Sequence, residues 1–262
     1  MSAEPEAAVC RYVCDGSARY LAMLGESLRG LRAHNPALTV EVTLVEHAVD
    51  EAALDRLLAL ARRLEVRVRR RPPLAAAAGY FPLHKAYATR PVRERVLLLD
   101  ADTFVLGSLA PILEGCVEAA IYAVEGRWVY GAPSWRPGLL GGAPPLNSGV
   151  VLFNRRSIAC WRPIPSCRAI AAGAHPEVMR LLLELHPEAY HREELSLSLA
   201  ASQAGLEARG FARALVGMYD REPPRPAECR VFHSFGHNWG LVYELLHGRP
   251  PPPPIELLEA RA

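Results

Sequence analysis

A short and wholly apolar run at residues 96–99 (Val-Leu-Leu-Leu) constrains the fold more than any other part of this sequence. A strand with one exposed face alternates apolar and polar residues, whereas a strand buried on both faces is apolar throughout. The run therefore predicts a central strand whose sheet is covered by helices on both sides. Such layers arise when strands and helices alternate along the chain.

Strand and helix patterns do alternate in the rest of the sequence. The helix after the first strand pattern carries leucines at helical spacing, and Asp50 has the position of an N-cap. Strand composition marks residues 8–14, 41–45, 65–69 (an expected edge strand), 119–124, 149–153 and 230–232. Further helices are expected from the patterns at 50–64, 82–89, 176–185 and 192–204. We therefore predict an α/β fold with a mostly parallel central sheet flanked by helices, followed by a loop-rich C-terminal part.

The C-terminal end differs in composition from everything before it. Five consecutive prolines stand at 250–254. Proline lacks an amide hydrogen and clashes with the preceding turn of a helix, so residues 249–262 are predicted to form an extended arm without helix. Residues 1–248 are expected to form a single domain.

Charge and targeting signals exclude several classes of protein. The chain has 30 basic and 28 acidic residues, a formal net charge of +2, so no net field attracts it to nucleic acid. No apolar run is long enough for a membrane span, and no basic-then-apolar signal peptide begins the chain. The six cysteines are expected to be buried and reduced, and we expect a cytoplasmic location.

Two carboxylates, Asp100 and Asp102, follow directly on the buried run. In open α/β sheets, ligands bind outside the carboxyl ends of the strands. Carboxylates at that edge are hard oxygen donors for Mn²⁺ or Mg²⁺, which in turn bridge phosphate oxygens. The alternative is structural, with one carboxylate capping a loop and the other solvated. The chain has only six aspartates, so the placement of two of them here favours the metal site.

Three later segments carry side chains that suit a polar ligand. Asn147 and Ser148 precede Gly149 on a turn, where an amide and a hydroxyl can bind a polyhydroxy ligand or simply form the turn. His233 follows a strand pattern, and a neutral imidazole there favours Mn²⁺ over Mg²⁺. Glu193 and Glu194 begin a helix, where carboxylates also complement the helix dipole.

Taken in chain order, these segments resemble the nucleotide-sugar glycosyltransferases of the GT-A fold, and glycosyltransferase family 8 in particular. That family has an Asp-x-Asp after a buried strand, here Asp100 to Asp102, and an Asn-Ser-Gly strand, here 147–154. A later His-x-x-Gly matches His233 to Gly236, and the turn at Cys14 is similar to the family's base-binding opening. The resemblance spans roughly residues 8–240.

The resemblance implies roles for particular residues. Asp100, Asp102 and His233 would hold the metal ion, and Glu193 or Glu194 would lie near the anomeric carbon. The residues implied to bind the donor are Cys14, Asp15, Tyr20, Lys85, Asp100, Ala101, Asn147, Ser148, Gly236 and His237. Lys85 is the only lysine in a chain with 29 arginines, which suggests that this position favours a compact ammonium over a guanidinium.

The sequence departs from the family pattern at two places. An Asp-Gln pair of the family aligns with Glu193-Glu194, so a carboxylate replaces an amide. The late family motif also has a lysine before its tryptophan, whereas the segment from His233 to Trp239 has none. His237 is the nearest candidate for the missing diphosphate contact.

The implied activity is metal-dependent transfer of a sugar from a nucleoside-diphosphate sugar, UDP-linked by resemblance, to an acceptor, with retention of configuration. The sequence leaves the acceptor and the oligomeric state open. A pseudoenzyme that binds nucleotide sugars without turnover is the main alternative. A haloacid-dehalogenase-type phosphatase and a sugar nucleotidyltransferase are less favoured, because the phosphatase requires a late acidic pair and the nucleotidyltransferase requires a Gly-rich loop after its first strand.

Overall fold

The computed structural model describes residues 8–77, 81–90, 95–185, 192–219 and 229–259. Its strands are β1 (Ala8–Asp15), β2 (Thr39–Val45), β3 (Arg67–Arg71), β4 (Arg95–Leu99), β5 (Thr103–Val105), β6 (Ile121–Glu125), β7 (Leu146–Phe153), β8 (Ala208–Gly210), β9 (Val216–Met218) and β10 (Val231–His233). Its α-helices are α1 (Ala18–His34), α2 (Glu51–Arg63), α3 (Ala110–Gly115), α4 (Pro163–Ala171), α5 (Pro176–Leu185), α6 (Arg192–Gln203), α7 (Trp239–His247) and α8 (Pro254–Glu259). Short 3₁₀ helices include Phe81–Tyr87 and Gly236–Asn238.

Seven strands form the central sheet in the order β3-β2-β1-β4-β7-β6-β8. Neighbours pair in parallel except at β7, which is antiparallel to both β4 and β6. The predicted mostly parallel sheet is therefore confirmed. Because β7 runs in the opposite direction, its first residues lie at the same edge as the last residues of β4.

A second, three-stranded sheet has the order β5-β10-β9. Strand β5 begins directly after Asp102, and β10 pairs with it in antiparallel register so that Thr103 lies opposite His233. This pairing brings the late histidine beside the acidic pair.

The core lies on both faces of the central sheet, as the apolar run predicts. All five residues of β4 are buried. On one face the sheet packs on α1 and α2, and the leucines at helical spacing in α1 (Leu21, Leu24, Leu28 and Leu31) are fully buried there. On the other face it packs on α6 and on Trp161. Asp50 caps α2 as predicted, since its side chain accepts a hydrogen bond from the Ala53 amide at 3.0 Å.

The C-terminal end corrects one prediction. Residues 254–259 form α8, so the expectation of an extended, non-helical arm is wrong for this part of the tail. The reason is positional: a proline is tolerated in the first turn, where its missing amide hydrogen has no helical partner. Beyond it, Leu257 and Leu258 are buried, and Leu258 joins the core cluster between α1 and α2.

Among the described residues, no helix has both the length and the apolar character needed to cross a bilayer.

Candidate functional site

Three potential metal ligands meet at the carboxyl edge of β4. Asp100 and Asp102 follow the strand, and His233 ends β10 in the second sheet. His233 Nε2 lies 3.3 Å from Asp102 Oδ1 and 4.0 Å from Asp100 Oδ2. The donor atoms of all three residues lie within 4.8 Å of one another. The sequence-predicted metal ligands are thus brought together by the pairing of β5 with β10.

The charges in this cluster affect each other. Burial by itself raises the pKa of Asp102, but the adjacent His233 outweighs burial and holds the pKa below its ordinary value. Burial likewise disfavours the charged imidazole, yet Asp102 and Asp100 raise the pKa of His233. The pKa of Asp100 is raised, because burial and its neighbour Asp102 outweigh the opposing effect of Lys85. The cluster favours a cation electrostatically, since one added positive charge relieves the repulsion between the buried Asp102 carboxylate and the half-buried Asp100 carboxylate.

Lys85 brings a second set of polar groups to the same place. Its ammonium nitrogen lies 2.9 Å from Asp100, 2.9 Å from the Ser148 hydroxyl and 3.3 Å from Glu193 Oε1. Ser148 in turn donates to Glu193 Oε1 at 2.8 Å. The lone lysine of the sequence is therefore a buried ion between two carboxylates, and it connects the 3₁₀ helix Phe81–Tyr87 to the start of α6.

The residues of the N-terminal turn after β1 have structural roles of their own. Asp15 Oδ1 accepts hydrogen bonds from the backbone nitrogen and the hydroxyl of Ser17, at 2.9 and 2.6 Å, and so fixes the start of α1. Cys14 is buried, and burial raises the pKa of its thiol well above the ordinary value. Any ligand contact from Cys14 would have to use its backbone, whereas Asp15 keeps a second carboxylate oxygen for a ligand.

Tyr20 connects this turn to the late His-x-x-Gly segment. A Cβ added at Gly236 would lie 2.8 Å from the Tyr20 hydroxyl oxygen, so the backbone of residue 236 passes close to the ring. Arg19 donates a hydrogen bond to the Gly236 carbonyl. Burial and the charge of Asp102 raise the pKa of Tyr20 to about 12, so the phenol remains protonated and can donate to an anionic ligand.

Other predicted site residues have mainly local roles. Asn147 is fully buried, and its side-chain oxygen accepts from the Gly149 amide at 2.8 Å. The expectation of a turn at 147–149 is wrong, because these residues lie within strand β7 and Asn147 pairs with Val124 of β6. Ala101 is buried between the two aspartates. His237 is exposed and lies 3.0 Å from the Asn238 side chain rather than in the carboxylate cluster.

The structure describes the side chain of only one of the two predicted glutamates, Glu193 and Glu194. Glu193 is buried at the start of α6 and contacts Lys85 and Ser148. The side chain of Glu194 lies outside the described part of the chain. The prediction that one of the two lies near the anomeric carbon stays a prediction, with contacts described for Glu193.

Ser234 and Thr103 support the acidic pair and were missed in the sequence. Ser234 donates to the Asp102 carbonyl through its hydroxyl at 2.7 Å and its amide at 3.2 Å. The Thr103 hydroxyl donates to the Asp100 carbonyl at 2.8 Å. In the sequence, only their adjacency to Asp102 and His233 marked these two residues. Hydroxyl residues beside a site are common, so adjacency alone did not identify them.

Comparison with protein-family models and with curated proteins finds no match. Solved structures do match. The galactosyltransferase LgtC in complex with donor and acceptor sugar analogs is 16% identical, with a TM-score of 0.60 over 94% of this chain and 97% of LgtC. The bifunctional glycosyltransferase WbbM is 12% identical, with a TM-score of 0.53 over 91% of this chain and 47% of WbbM. The glycosyltransferase GlyE of Streptococcus pneumoniae TIGR4 is 15% identical, with a TM-score of 0.51 over 87% of this chain and 54% of GlyE.

These similarities confirm the predicted fold class. The chain has a GT-A-type glycosyltransferase fold, with a mostly parallel sheet flanked by helices. At such low identity the likeness concerns the fold, and function has to be argued from the site.

Proposed function

We propose that this protein is a metal-dependent glycosyltransferase that moves a sugar from a UDP-linked donor to an acceptor hydroxyl with retention of configuration. One observation carries the proposal: Asp100, Asp102 and His233 converge at the carboxyl edge of β4, beside the buried ammonium of Lys85. In a chain with this fold, that edge is where a nucleotide ligand is expected.

The donor set suits a divalent cation. Two carboxylates supply hard oxygens and one imidazole supplies nitrogen, a combination that suits Mn²⁺ and also accepts Mg²⁺. His233 Nδ1 is buried and has no hydrogen-bond partner among the described residues, so this ring is held by packing and by the groups facing Nε2. Asp100 is shared with Lys85, which leaves Asp102 and His233 as the firmer ligands. The bound ion would act as a Lewis acid that stabilises the charge of the departing diphosphate.

Lys85 orders the acidic side of the site. Its ammonium holds the Asp100 and Glu193 carboxylates through short contacts, so neither side chain has to reorganise when the donor binds. Its positive charge also stabilises the negative charge that accumulates on the leaving group. The diphosphate contact that the family's late lysine supplies is proposed for the exposed His237, since the three donors of the Lys85 ammonium contact Asp100, Ser148 and Glu193.

Glu193 is the described carboxylate best placed to face the donor sugar. It is buried, with Oε1 occupied by Lys85 and Ser148. A carboxylate beside the anomeric carbon stabilises the positive charge of an oxocarbenium-like transition state. Tyr20 is near Asp102 and Asp15, whose charges help to raise its pKa, and Tyr20 and Asp15 would contact the nucleoside.

The phosphatase alternative is disfavoured by the same geometry. It requires a late acidic pair beside the Asp-x-Asp, and within the described ranges after residue 203 the side chain that contacts both aspartates is His233. The pseudoenzyme alternative differs from the proposal only in turnover.

A thermal-shift screen tests the donor assignment. Nucleoside-diphosphate sugars are added with and without Mn²⁺, and a ligand that binds the folded state alone raises the melting temperature. We expect UDP-sugars with Mn²⁺ to give the largest increase. If no nucleoside-diphosphate sugar shifts the transition in Mn²⁺, the proposal is wrong.

Turnover and stereochemistry are then measured with the donor that binds. Metal-dependent hydrolysis of that donor supports an enzyme, and binding without hydrolysis or transfer supports the pseudoenzyme. The anomeric configuration of the product, read by NMR, is expected to match that of the donor. An inverted product would instead indicate a carboxylate that deprotonates the acceptor from the opposite face.

A further inference from the structure

A solvent-open cleft lies between the β6–β7 loop and α5, away from the acidic pair. Its volume is about 460 Å³, within the range of small-molecule sites. The residues that line it are Pro133, Ser134, Trp135, Arg136, Pro176, Glu177 and Arg180. None of these residues takes part in the site described above.

The aromatic wall of the cleft is held in place. Trp135 packs at 5.1 Å between ring centroids against Tyr130, and it lies on an apolar cluster that includes Leu140 of the same loop and Leu181 of α5. The Ser134 amide donates to Glu184 at 2.8 Å, which ties the loop to α5. Because Trp135 is half-buried, it presents a fixed apolar face to the cleft, and such a surface suits the C–H face of a sugar ring.

The polar groups of the cleft are balanced in charge. Arg136 forms an ion pair with Glu177. Arg180 is also close to a carboxylate, since it lowers the pKa of Glu184 together with the hydrogen bonds from Ser134. Arg136 is already paired with Glu177 and has little surplus charge for a phosphate, whereas the remaining donors of the two arginines and the acceptors of Glu177 match hydroxyl groups. This chemistry favours a neutral saccharide.

The other tryptophans whose side chains the structure describes, Trp161 and Trp239, are buried and do not offer this surface. Trp161 is fully buried, stacks on Phe153 and donates to the Ser196 hydroxyl at 3.0 Å. The side chain of Trp128 lies outside the described part of the chain. Trp135 is thus the described tryptophan that can meet a ligand in a cleft.

Helix α6 gives the distance from the cleft to the proposed reaction centre. Glu193 contacts Ser148, and Ser198 binds the amide of Leu146, so α6 runs from the acidic site towards the β6–β7 loop. Its last residue, Gln203, lies 3.3 Å from His175, next to Pro176 in the cleft wall. Ten helical residues span about 15 Å. The Pro176 wall of the cleft is therefore about 15 Å from Glu193 along α6, more than the length of one sugar unit.

We infer that this cleft binds a neutral saccharide and is a distal subsite for an extended acceptor glycan. Saccharide binding is inferred from the cleft itself, whereas the role as an acceptor subsite rests on the proposed function. A glycan that spans from Glu193 to Trp135 would have its reacting hydroxyl at the metal site and its far sugar on the tryptophan face.

Saturation-transfer NMR on the full chain tests the inference without donor or metal. The probe is a panel of neutral linear oligosaccharides of the malto-, cello- and chito-series. We expect at least one series to bind, with longer members binding more tightly than the disaccharide. Trp135→Ala should weaken that binding about tenfold, a loss of about 1.4 kcal/mol, whereas Trp135→Phe should retain most of it. If no series binds the wild-type protein, or if Trp135→Ala binds like wild type, the inference is wrong.

Two controls separate this inference from the proposed function. Trp135→Ala should leave the UDP-sugar thermal shift in Mn²⁺ unchanged, which also shows that the variant is folded. Saturating UDP and Mn²⁺ should not displace the glycan from the wild-type protein, and competition between them would overturn a distal location. Loss of donor binding with retained glycan binding would instead contradict the proposed function alone.

Discussion

The imidazole of His233 lies directly over the backbone of Gly149. A Cβ added at residue 149 would come within 2.3 Å of His233 Cε1 and 2.5 Å of Nδ1, closer than any real Cβ contact. The glycine that follows Asn147-Ser148 therefore makes room for a metal ligand that lies 84 positions later in the chain. This contact explains why β7 contains a glycine, a residue that is otherwise unfavourable within a strand.

Gly149→Ala should displace His233 and weaken Mn²⁺ binding about tenfold or more, since a ligand would be moved out of position. Isothermal titration with Mn²⁺ measures the effect. Gly210→Ala is the matched control, because Gly210 is a strand glycine of the same sheet whose added Cβ would meet only an ordinary contact at 3.6 Å. Equal Mn²⁺ affinity in the two variants would contradict the role of this glycine.

Asp102→Asn should reduce Mn²⁺ affinity about a hundredfold or more and abolish metal-dependent donor hydrolysis, since outer-shell changes alone cost up to that much. The fold should persist, because the Ser234 and Thr103 contacts use backbone carbonyls. Asp55→Asn, at an exposed position of α2, is the control. Normal hydrolysis by Asp102→Asn in Mn²⁺ would remove the metal-site assignment.

Lys85→Met should destabilise the protein by about 3 kcal/mol, because it leaves the Asp100 and Glu193 carboxylates without their buried counter-ion. Urea unfolding measures the loss. Adding Glu193→Gln to Lys85→Met should recover part of it by removing one unpaired charge. Two single changes whose effects simply add in the double variant would show that the lysine and the glutamate do not interact.

Leu258→Ala should cost about 3 kcal/mol of unfolding free energy, since this side chain is 1% exposed and fills the space above Gly25. Ile255→Ala, on the exposed side of α8, should cost under about 0.5 kcal/mol. Thermal or urea unfolding of the two variants checks whether α8 is part of the folded domain. Similar stability in both would show that the tail does not contribute.

His84 should make stability depend on pH. Its Nε2 accepts from the Leu74 amide at 3.1 Å and its Nδ1 donates to the Phe81 carbonyl at 2.9 Å, an arrangement that requires the neutral ring. Burial lowers its pKa from 6.5. The unfolded chain therefore takes up a proton first as the pH falls, and this part of the stability is present above pH 6.5 and is lost below it.

Unfolding free energies measured across that range should fall less steeply for His84→Gln than for wild type. His34→Gln, at the exposed end of α1, should keep the wild-type slope. An unchanged slope in His84→Gln would mean that His84 does not titrate differently on folding.

Local patterns account for what could be predicted. The apolar residues 96–99 predicted a buried strand because a run without polar side chains has no face for water. Asp50 predicted the start of α2 because an N-cap acts within three residues of itself. Asp100 and Asp102 could be placed at the ligand edge for the same reason, since they lie next to the strand that positions them.

The tail and the clefts could not be predicted in this way. The prolines at 250–254 indicate no helix, but Pro254 begins α8. The burial of Leu258 depends on the core cluster that includes residues of α1 and α2, and the burial of Leu257 depends on a second cluster with Met23 and Trp239. The cleft beside Trp135 likewise depends on how the β6–β7 loop packs on α5. The sequence of neither segment indicates that it packs on the other.

The amino-acid sequence by itself determined the layered α/β class and the acidic pair at the end of a buried strand, because hydrophobic period and capping act over a few residues. Only the tertiary structure decided that β7 runs antiparallel, that β10 pairs with β5, and that Lys85 meets a glutamate 108 residues away. Such pairings follow from the total burial and hydrogen bonding of the whole sheet, which no short segment encodes. The metal cluster and the ion pair of Lys85 are products of that long-range packing.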